Sequence, residues 1–202
     1  MLELHRGQGM EIHWREEGQC PSEEEYRTMV IQKTGGLFNL AVRMMQLFQT
    51  KSDPILAEYN YGELANLMGL YFQIRDDYAN LVLDEYTQTK TFAEDLTEGK
   101  YNFPIIHAIR NFPGDNKVQN ILKQRTHDNE LKKYCVSLLE SAGSFEYSKI
   151  TLTELDDRIR REIGHLGGNS SMMRVMDKLG NWKQSVNNNA PQISSEHANK
   201  QI

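Results

Sequence analysis

The sequence predicts an all-α fold, and three of its features lead to this prediction. Between Tyr61 and Leu83, apolar residues recur at roughly the 3.6-residue period of a helix that packs on a core. Ser22 is followed three residues later by Glu25, which is the pattern of a capping box opening a helix that reaches about Lys33. No segment of the sequence alternates convincingly between apolar and polar residues, as a half-buried strand does.

Further helical segments follow along the chain. An opening helix is expected through Trp14, although no capping residue precedes it. Gly35 and Gly36 are expected to interrupt the next helix. Their flexibility would let the backbone bend and bring Lys33 and Thr34 close to a ligand, whereas a simple helix junction is the alternative. The remaining predicted helices cover residues 37–48, 61–83, 104–110, 117–125, 130–140, 145–163 and 172–182.

Length and composition indicate one helical domain. The chain has 202 residues, of which 39% are hydrophobic, and this is enough for one sizeable core. We assign residues 1–183 to the domain. Residues 184–202 are rich in Asn, Ser, Gln and Lys and lack apolar partners, so we expect a disordered tail there.

Charge, hydropathy and cysteine usage exclude several classes of protein. The formal net charge of −5 argues against a nucleic-acid binder, for which a basic surface is expected. No apolar run approaches the roughly 18 residues of a transmembrane helix, and no signal peptide opens the chain, so we expect a cytoplasmic protein. Cys20 and Cys135 stand far apart without the spacing of metal ligands, so neither a disulfide framework nor a zinc site is expected.

The segment 72–80 carries the most informative motif. It reads Phe-Gln-Ile-Arg-Asp-Asp-Tyr-Ala-Asn and sets two adjacent carboxylates inside an apolar helical pattern. Residues three and four apart lie on one side of a helix, so the polar residues of this segment share one face. They are Gln73, Asp76, Asp77 and Asn80. Such a face suits a divalent cation, while the alternative is a surface acid pair neutralised by Arg75 or a nearby lysine.

Lysines in other segments support an anion site. Lys33, Lys90 and Lys100 would supply positive charge around a metal held by the acid pair. Mg²⁺ usually shares one or two carboxylates with substrate phosphates, so we predict that the ligand is a diphosphate. If the diphosphate leaves, metal and lysines stabilise the charge that builds on its oxygens. The carbocation left behind survives only where water is excluded. The apolar side chains that could exclude water are Met68, Tyr71 and Phe72.

Four segments together resemble a known family. They are residues 20–26 (Cys-Pro-Ser-Glu-Glu-Glu-Tyr), 32–38 (Gln-Lys-Thr-Gly-Gly-Leu-Phe), 72–80 and 94–100 (Glu-Asp-Leu-Thr-Glu-Gly-Lys). In order and spacing they resemble the trans-prenyltransferases, or polyprenyl diphosphate synthases, and most of all the animal geranylgeranyl diphosphate synthases. The resemblance implies an all-α isoprenoid-synthase bundle. It also implies Mg²⁺-dependent condensation of isopentenyl diphosphate with an allylic diphosphate such as farnesyl diphosphate.

The resemblance further implies roles for individual residues. Asp76 and Asp77 would form the second aspartate-rich motif of the family and bind the metal. Thr34 and Gln73 would offer oxygen dipoles to the developing cation. Five residues would line the allylic diphosphate site, the first four of them also catalytic: Lys33, Thr34, Gln73, Lys90 and Lys100.

Two departures from the family pattern affect the expected activity. Asn80 stands where many relatives carry a third acid, and its amide oxygen is a weaker, neutral ligand. The N-terminal part of the family, with the first aspartate-rich motif, has no counterpart in this sequence. We therefore expect a partial domain, truncated at its N-terminus, that is inactive by itself.

Asp156 and Asp157, although followed by arginines, are interpreted as a solvated helix face.

A non-catalytic function is the main alternative. The chain could act as a regulatory subunit that associates with a full-length synthase, or form a homo-oligomer, because its opening helix would expose apolar residues. A helical scaffold without a ligand is a third possibility. Magnesium-dependent binding of a diphosphate analogue would exclude a plain scaffold.

Overall fold

The computed structural model describes residues 1–48, 60–82 and 92–183. Within these ranges the chain forms ten α-helices, a π-helical turn and a 3-10 turn, with no strand. The all-α prediction is therefore confirmed. In chain order the α-helices are α1 (Leu2–Glu17), α2 (Glu23–Val30), α3 (Gly36–Leu47), α4 (Gly62–Val82), α5 (Glu94–Glu98), α6 (Phe103–Asn111), α7 (Lys117–Lys123), α8 (Asn129–Ser141), α9 (Ser144–His165) and α10 (Ser170–Leu179).

Helix α4 lies at the centre of the fold. It packs against α9, α3 and the π-helical turn, and most of its residues after Leu64 are buried. Tyr71 and Ile74 are fully buried, and Tyr78 is nearly so. Burial of a large apolar side chain contributes roughly 1.5–3 kcal/mol. Helix α4 therefore anchors the core, and this fixes its acid-bearing face relative to the neighbouring helices.

Local sequence signals set several helix ends as predicted. Ser22 Oγ accepts a hydrogen bond from Glu25 N at 3.2 Å, and Glu25 Oε2 accepts one from Ser22 N at 2.7 Å, which completes the predicted capping box. Asn102 caps α6, because its side-chain oxygen accepts a hydrogen bond from Ile105 N at 3.1 Å. Each predicted helix has a counterpart in the structure, with ends that differ by a few residues.

The regular α-helical pattern is interrupted next to Gly35 and Gly36, as predicted, but by a π-helical turn and not by a bend. Helix α2, the π-helical turn Ile31–Gly35 and α3 follow one another without a break. Both glycines have right-handed helical angles, with φ of −60° and −58°. A π-helical turn inserts one extra residue per turn and widens the helix locally. Lys33 and Thr34 therefore project from a bulge within a continuous helix, not from a bend.

Glycines allow three elements to pack closely around this bulge. A Cβ atom on Gly69 of α4 would lie 2.6 Å from N and Cα of Gly35. A Cβ atom on Gly7 of α1 would lie 2.8 Å from the backbone N of Lys33. Any larger residue would overlap with backbone atoms that cannot move independently. The two glycines thus bring α1 and α4 into direct contact with the π-helical turn.

Two surface predictions need correction. Met68 and Tyr71 pack into the core, so Phe72, 42% exposed, is the part of the predicted apolar wall that faces outward. Asp156, predicted on a solvated face, is only 3% exposed and accepts a hydrogen bond from Arg160 Nε at 3.1 Å. The physical reason is its position four residues after buried Leu152, on the inward stripe of α9.

The last described residues dock on α4. Trp182 is buried, and its Nε1 donates to the hydroxyl of Tyr71 at 3.0 Å. Arg75 Nε donates to the backbone O of Leu179 at 2.9 Å, which ties the end of α10 to α4. The predicted tail, residues 184–202, lies outside the described residues. Across the described ranges, no helix combines the length and the apolar character needed to cross a membrane.

Candidate functional site

Asp77 is the centre of a buried polar cluster on α4. Its side chain is fully buried, and its Oδ1 accepts hydrogen bonds from Gln73 Nε2 and Lys100 Nζ, both at 2.9 Å. Its Oδ2 accepts from the Tyr26 hydroxyl at 2.6 Å and from the backbone N of Phe103 at 2.9 Å. A carboxylate offers about four acceptor positions, so these bonds fill it. Asp77 thereby connects α2, α4 and the start of α6.

Tyr26 supports this arrangement from α2. Burial and the neighbouring Asp77 carboxylate raise the pKa of Tyr26 well above its usual range, so its phenol stays protonated and donates. Its ring packs against Phe103 with centroids 5.6 Å apart. The Arg27 guanidinium lies 5.8 Å from the centroid of the same Phe103 ring. These contacts fix both groups that donate to Asp77 Oδ2.

A hydrogen-bonded chain connects the π-helical turn to Asp77. Thr34 Oγ1 donates to Gln73 Oε1 at 3.0 Å, while the amide nitrogen of Gln73 donates to Asp77. The two bonds fix the orientation of the Gln73 amide, with its oxygen toward Thr34. Three of the site residues predicted from the sequence, Thr34, Gln73 and Asp77, therefore lie together.

Lys100 lies between two carboxylates. Its Nζ is 2.9 Å from Asp77 Oδ1 and 3.5 Å from Asp95 Oδ2. Burial alone would lower the pKa of Lys100, but Asp77 and Asp95 outweigh that effect and hold it above its usual range. Burial raises the pKa of Asp95 to about 6, although Lys100 acts in the opposite direction. The amine of Lys100 is therefore charged, and its position is defined by two acids.

Lys33 is paired with an acid from α1. Its Nζ donates to Glu11 Oε2 at 2.6 Å, and Gln8 Nε2 donates to the same oxygen at 3.2 Å. The other oxygen, Glu11 Oε1, is buried and has no hydrogen-bond partner within the described part of the chain. The charge of Glu11 also contributes to the raised pKa of Lys100, so this carboxylate lies near the cluster around Asp77. A buried acceptor without a donor is a position that a cation or a donor can fill.

The other predicted residues are placed differently. Asp76 is half-buried on α4 and contributes to the raised pKa of Asp95. Asn80 is 8% exposed, and its oxygen accepts a hydrogen bond from Asp95 N at 3.2 Å. Lys90 lies outside the described residues, so its assignment stays a prediction.

The residues that fit a magnesium ion are few. Within residues 1–48, 60–82 and 92–183, no three His, Cys, Asp or Glu side chains are grouped as metal ligands. Mg²⁺ often takes only one or two protein carboxylates together with substrate phosphates and water. The oxygens of Asp77 already accept four hydrogen bonds, whereas Glu11 Oε1 is a buried carboxylate oxygen without a donor among the described residues and fits this role. The assignment of Asp76 and Asp77 as metal ligands stays a prediction.

Sequence analysis missed Glu11 and Tyr26 as members of the cluster. It placed Asp95 with Lys90 and Lys100 in a polar stretch interpreted as functional, but it gave Asp95 no role. Tyr26 lies within the segment 20–26, so the sequence singled out its surroundings but not its side chain. Glu11 has no such signal, because it lies in a polar helix where acids and bases are mixed. Only the packing of α1 on the π-helical turn connects it to Lys33.

The fold and this cluster define an all-α protein with a buried carboxylate, lysine and amide site where its helices cross. Residues 1–139 match the model of the Polyprenyl synthetase family. This match covers more than half of the chain, so the protein belongs to that family. The resemblance to prenyltransferases is therefore confirmed.

Several curated proteins are similar to this chain. A terpene synthase of Matsumurasca onukii is 56% identical over 185 residues, which are 92% of this chain and 59% of that protein. A geranylgeranyl pyrophosphate synthase of Metarhizium robertsii is 48% identical, over 89% of this chain and 55% of that protein. One from Dictyostelium discoideum is 45% identical, over 90% of this chain and 58% of that protein. The chain thus spans somewhat more than half the length of these relatives.

Proposed function

We propose that this chain carries the allylic-diphosphate side of a short-chain prenyl diphosphate synthase site, of the geranylgeranyl diphosphate synthase type. The reaction would condense isopentenyl diphosphate with an allylic diphosphate such as farnesyl diphosphate. The observation that carries the proposal is the hydrogen-bonded cluster at the buried carboxylate of Asp77, to which Gln73 and Lys100 donate directly and Thr34 is linked through Gln73. Family membership and the names of the relatives support the reaction class.

The lysines would hold the diphosphate. Lys33 and Lys100 are each charge-paired with an acid, and each retains some exposure, 25% and 13% of the side chain. A partly exposed ammonium can add a phosphate oxygen to its partners, because it has three donors. Lys90 would add a further cation, as predicted from the sequence. Stabilising the oxygens of a departing diphosphate lowers the barrier to breaking its carbon–oxygen bond.

Thr34 and Gln73 would stabilise the allylic cation, which forms when the carbon–oxygen bond of the diphosphate breaks. Both carry oxygens whose dipoles favour positive charge, and the bond between them fixes their orientation. An oriented dipole needs no rearrangement when the allylic cation forms. The hydrogen bond from Gln73 to Asp77 ties this pair to the lysine side of the site.

Mg²⁺ fits best at Asp76 in this proposal. It would neutralise diphosphate charge as a Lewis acid when bound. The four hydrogen bonds that fill Asp77 favour a role for that residue in orienting Lys100 and Gln73, while Asp76 contributes the metal ligand. Glu11 Oε1 would receive a water or a metal-bound group, because it is buried without a donor.

An apolar surface beside Asp76 would receive the prenyl tail. Phe72 lies one helical turn before Asp76, is 42% exposed and packs at a tilt against Phe38 of α3, with ring centroids 6.2 Å apart. Apolar side chains next to the polar cluster suit a ligand that has a charged head and a hydrocarbon chain. They would also keep water from an allylic cation.

Binding of an unreactive substrate analogue tests the proposed site. Calorimetry with farnesyl thiodiphosphate and Mg²⁺ should give binding that weakens about tenfold or more in Lys33→Ala. Lys133→Ala is the matched control, since Lys133 is an exposed lysine on α8. Equal binding by the two variants, or no binding at all, would refute the proposal.

Turnover by this chain alone should be negligible. The 202 residues contain one of the two acid-rich motifs of the family, and loss of transition-state charge stabilisation reduces rates by orders of magnitude. The test is an assay of purified protein with farnesyl and isopentenyl diphosphates and Mg²⁺. A rate near that of a complete synthase would show that the missing motif is not needed.

A second candidate function is that of a subunit that associates with a full-length synthase, in the cytoplasm. The observation in its favour is α3, which has no fully buried residue. Its outer face carries large exposed apolar side chains, which favour association. They are Leu37, Met44, Met45 and Leu47. Co-purification with a full-length synthase at defined stoichiometry would support this function, and a stable isolated monomer would count against it.

A further inference from the structure

Asp95 lies at a joint between α4, α5 and α6, and it holds Lys100 in two ways. Its backbone N donates to Asn80 Oδ1 at 3.2 Å, and its Oδ2 accepts from Asn102 Nδ2 at 2.9 Å. Its backbone O accepts from the backbone N of Lys100 at 2.9 Å. The same Oδ2 lies 3.5 Å from Lys100 Nζ. Asp95 therefore contacts both the backbone and the side chain of Lys100.

The segment that carries Lys100 has little stability of its own. Helix α5 has five residues, and Gly99 ends it in the left-handed region with φ of 71°. Helices this short do not form in isolation. A Cβ atom on Gly99 would lie 3.1 Å from Arg125 Nε, so the turn is also tightly packed. The position of Lys100 consequently depends on contacts with the rest of the fold, and Asp95 makes several of them.

Asn80 holds Asp95 from α4. Its amide oxygen accepts the Asp95 backbone N–H in a buried position, so it is engaged with α5. A neutral amide provides this acceptor without a charge. An acid at the same position would place a third buried carboxylate near Asp77 and Asp95, and burying charge without a partner is unfavourable. This gives a physical reason for the amide at position 80.

We infer that Asn80 and Asp95 are positioning residues, with Asn80 anchoring Asp95 and Asp95 directing the ammonium of Lys100 toward the bound diphosphate. The inference rests on the proposed function and extends it to residues that need not touch substrate or metal. Lys100 held by both Asp77 and Asp95 cannot swing freely toward solvent. A diphosphate therefore meets a charge that is already oriented.

A double-mutant cycle separates positioning from a general structural role. Inorganic pyrophosphate with Mg²⁺ is titrated into four proteins by calorimetry: wild type, Asp95→Asn, Lys100→Gln and the double variant. Asp95→Asn should weaken binding about tenfold in the wild-type background and have almost no further effect beside Lys100→Gln, because the two residues act as a unit. An equal loss in both backgrounds, or no loss in either, would overturn the inference.

Chemical labelling of the amine provides a second readout that needs neither ligand nor a Lys100 variant. Lys100 should react slowly with an amine-reactive ester in the wild type, because its side chain is 13% exposed and held by two acids. Asp95→Asn and Asn80→Ala should each raise its labelling several-fold relative to exposed Lys133, measured by mass spectrometry. Unchanged labelling of Lys100 in both variants would contradict the inference.

The two readouts distinguish failure of the inference from failure of the proposed function. If wild-type protein does not bind pyrophosphate at all, the proposed function is wrong, and labelling still decides whether Asp95 and Asn80 hold Lys100. If pyrophosphate binds but Asp95→Asn leaves both binding and labelling unchanged, the site stands and the positioning role is wrong.

Discussion

The two sides of the site differ in how completely their polar groups are satisfied. Around Asp77, every acceptor position is filled by a donor, and the carboxylate is fully buried. Around Lys33, the ion pair with Glu11 is partly exposed, and one oxygen of Glu11 has no donor among the described residues. Burial of a satisfied network specifies a structure, whereas an unsatisfied polar atom beside a partly exposed ion pair can receive a ligand. The Asp77 side therefore organises the fold, and the Lys33 side is open to a ligand.

This contrast predicts that substitutions on the two sides affect different properties. Removing a group from the Asp77 side leaves buried donors and a buried ammonium without partners, so stability should fall. Removing a group from the Lys33 side leaves partners that water can reach, so stability should change little. Ligand binding should respond most directly on the Lys33 side.

The largest expected effect is that of Asp77→Ala. It removes the shared acceptor of four donors and leaves Lys100 with only the more distant Asp95. We expect the free energy of unfolding to fall by about 3–5 kcal/mol, as when one partner of a buried ion pair is removed. Chemical denaturation followed by circular dichroism measures it.

Asp157→Ala is the matched control for that substitution. Asp157 is an exposed acid and also the second residue of an Asp-Asp pair, so its loss should change stability by less than about 0.5 kcal/mol. A loss below about 1 kcal/mol for Asp77→Ala would mean that the buried network is not a main source of stability.

The next largest effect is a pH dependence of the free energy of unfolding that arises from Asp95. Burial raises the pKa of Asp95 from its ordinary value of 3.8 to about 6, so the folded state holds this proton more tightly than the unfolded state does. The stability linked to this proton is present at low pH and is lost as pH rises through about 6. The stability of Asp95→Asn relative to the wild type should therefore rise by about 3 kcal/mol between about pH 4 and about pH 7.

Unfolding curves of both proteins across that pH range measure this difference, and the comparison cancels the titration of all other groups. A difference between the two proteins that does not vary with pH would mean that Asp95 is not held at a raised pKa. The same curves show whether Asp95→Asn is folded under the conditions of the pyrophosphate titration, so that weaker binding by the folded variant reflects function, not unfolding.

A smaller loss is expected at the helix crossing that joins the two sides. Gly69→Ala places a Cβ atom 2.6 Å from the backbone of Gly35, so α4 and the π-helical turn must separate. Overpacking of this kind lowers stability by about 1–3 kcal/mol. Gly164→Ala is the control, because a Cβ there has no neighbour within 4 Å, and in helix α9 alanine should stabilise by about 0.5–1 kcal/mol. Thermal unfolding measures both variants. Equal changes in melting temperature would show that the crossing of α4 and the π-helical turn is not tight.

The smallest change in stability should follow Glu11→Gln. The Glu11–Lys33 pair is partly exposed, so its loss should change the free energy of unfolding by less than about 1 kcal/mol. Binding of pyrophosphate without Mg²⁺ should tighten a few-fold, because a negative charge that repels the ligand is gone. Calorimetry in the presence of EDTA checks this, and weaker binding would mean that Glu11 helps to bind the anion itself.

The sequence alone predicted those features that depend on local patterns. The capping box at Ser22 and the shared face of Gln73 and Asp77 follow from spacing within a single helix, and both are present. The helices themselves follow from apolar periodicity. These features need no knowledge of which segments touch.

Other features depend on contacts between distant segments and could not be predicted. Glu11 lies 22 residues from Lys33, and nothing in its own helix marks it as a partner. The burial of Asp156 depends on how α9 is rotated against α4, which a charge run does not reveal. The four donors to Asp77 come from four positions in the chain, so its saturation follows from the tertiary structure alone.

Calorimetric titration of inorganic pyrophosphate into wild type and Lys33→Ala, each with and without Mg²⁺, tests most directly whether these side chains form a diphosphate site. We predict Mg²⁺-dependent binding by the wild type, about tenfold or more weaker in Lys33→Ala, with the free energy of unfolding changed by less than about 1 kcal/mol. Equal binding by both proteins, or wild-type binding that does not depend on Mg²⁺, would contradict the account.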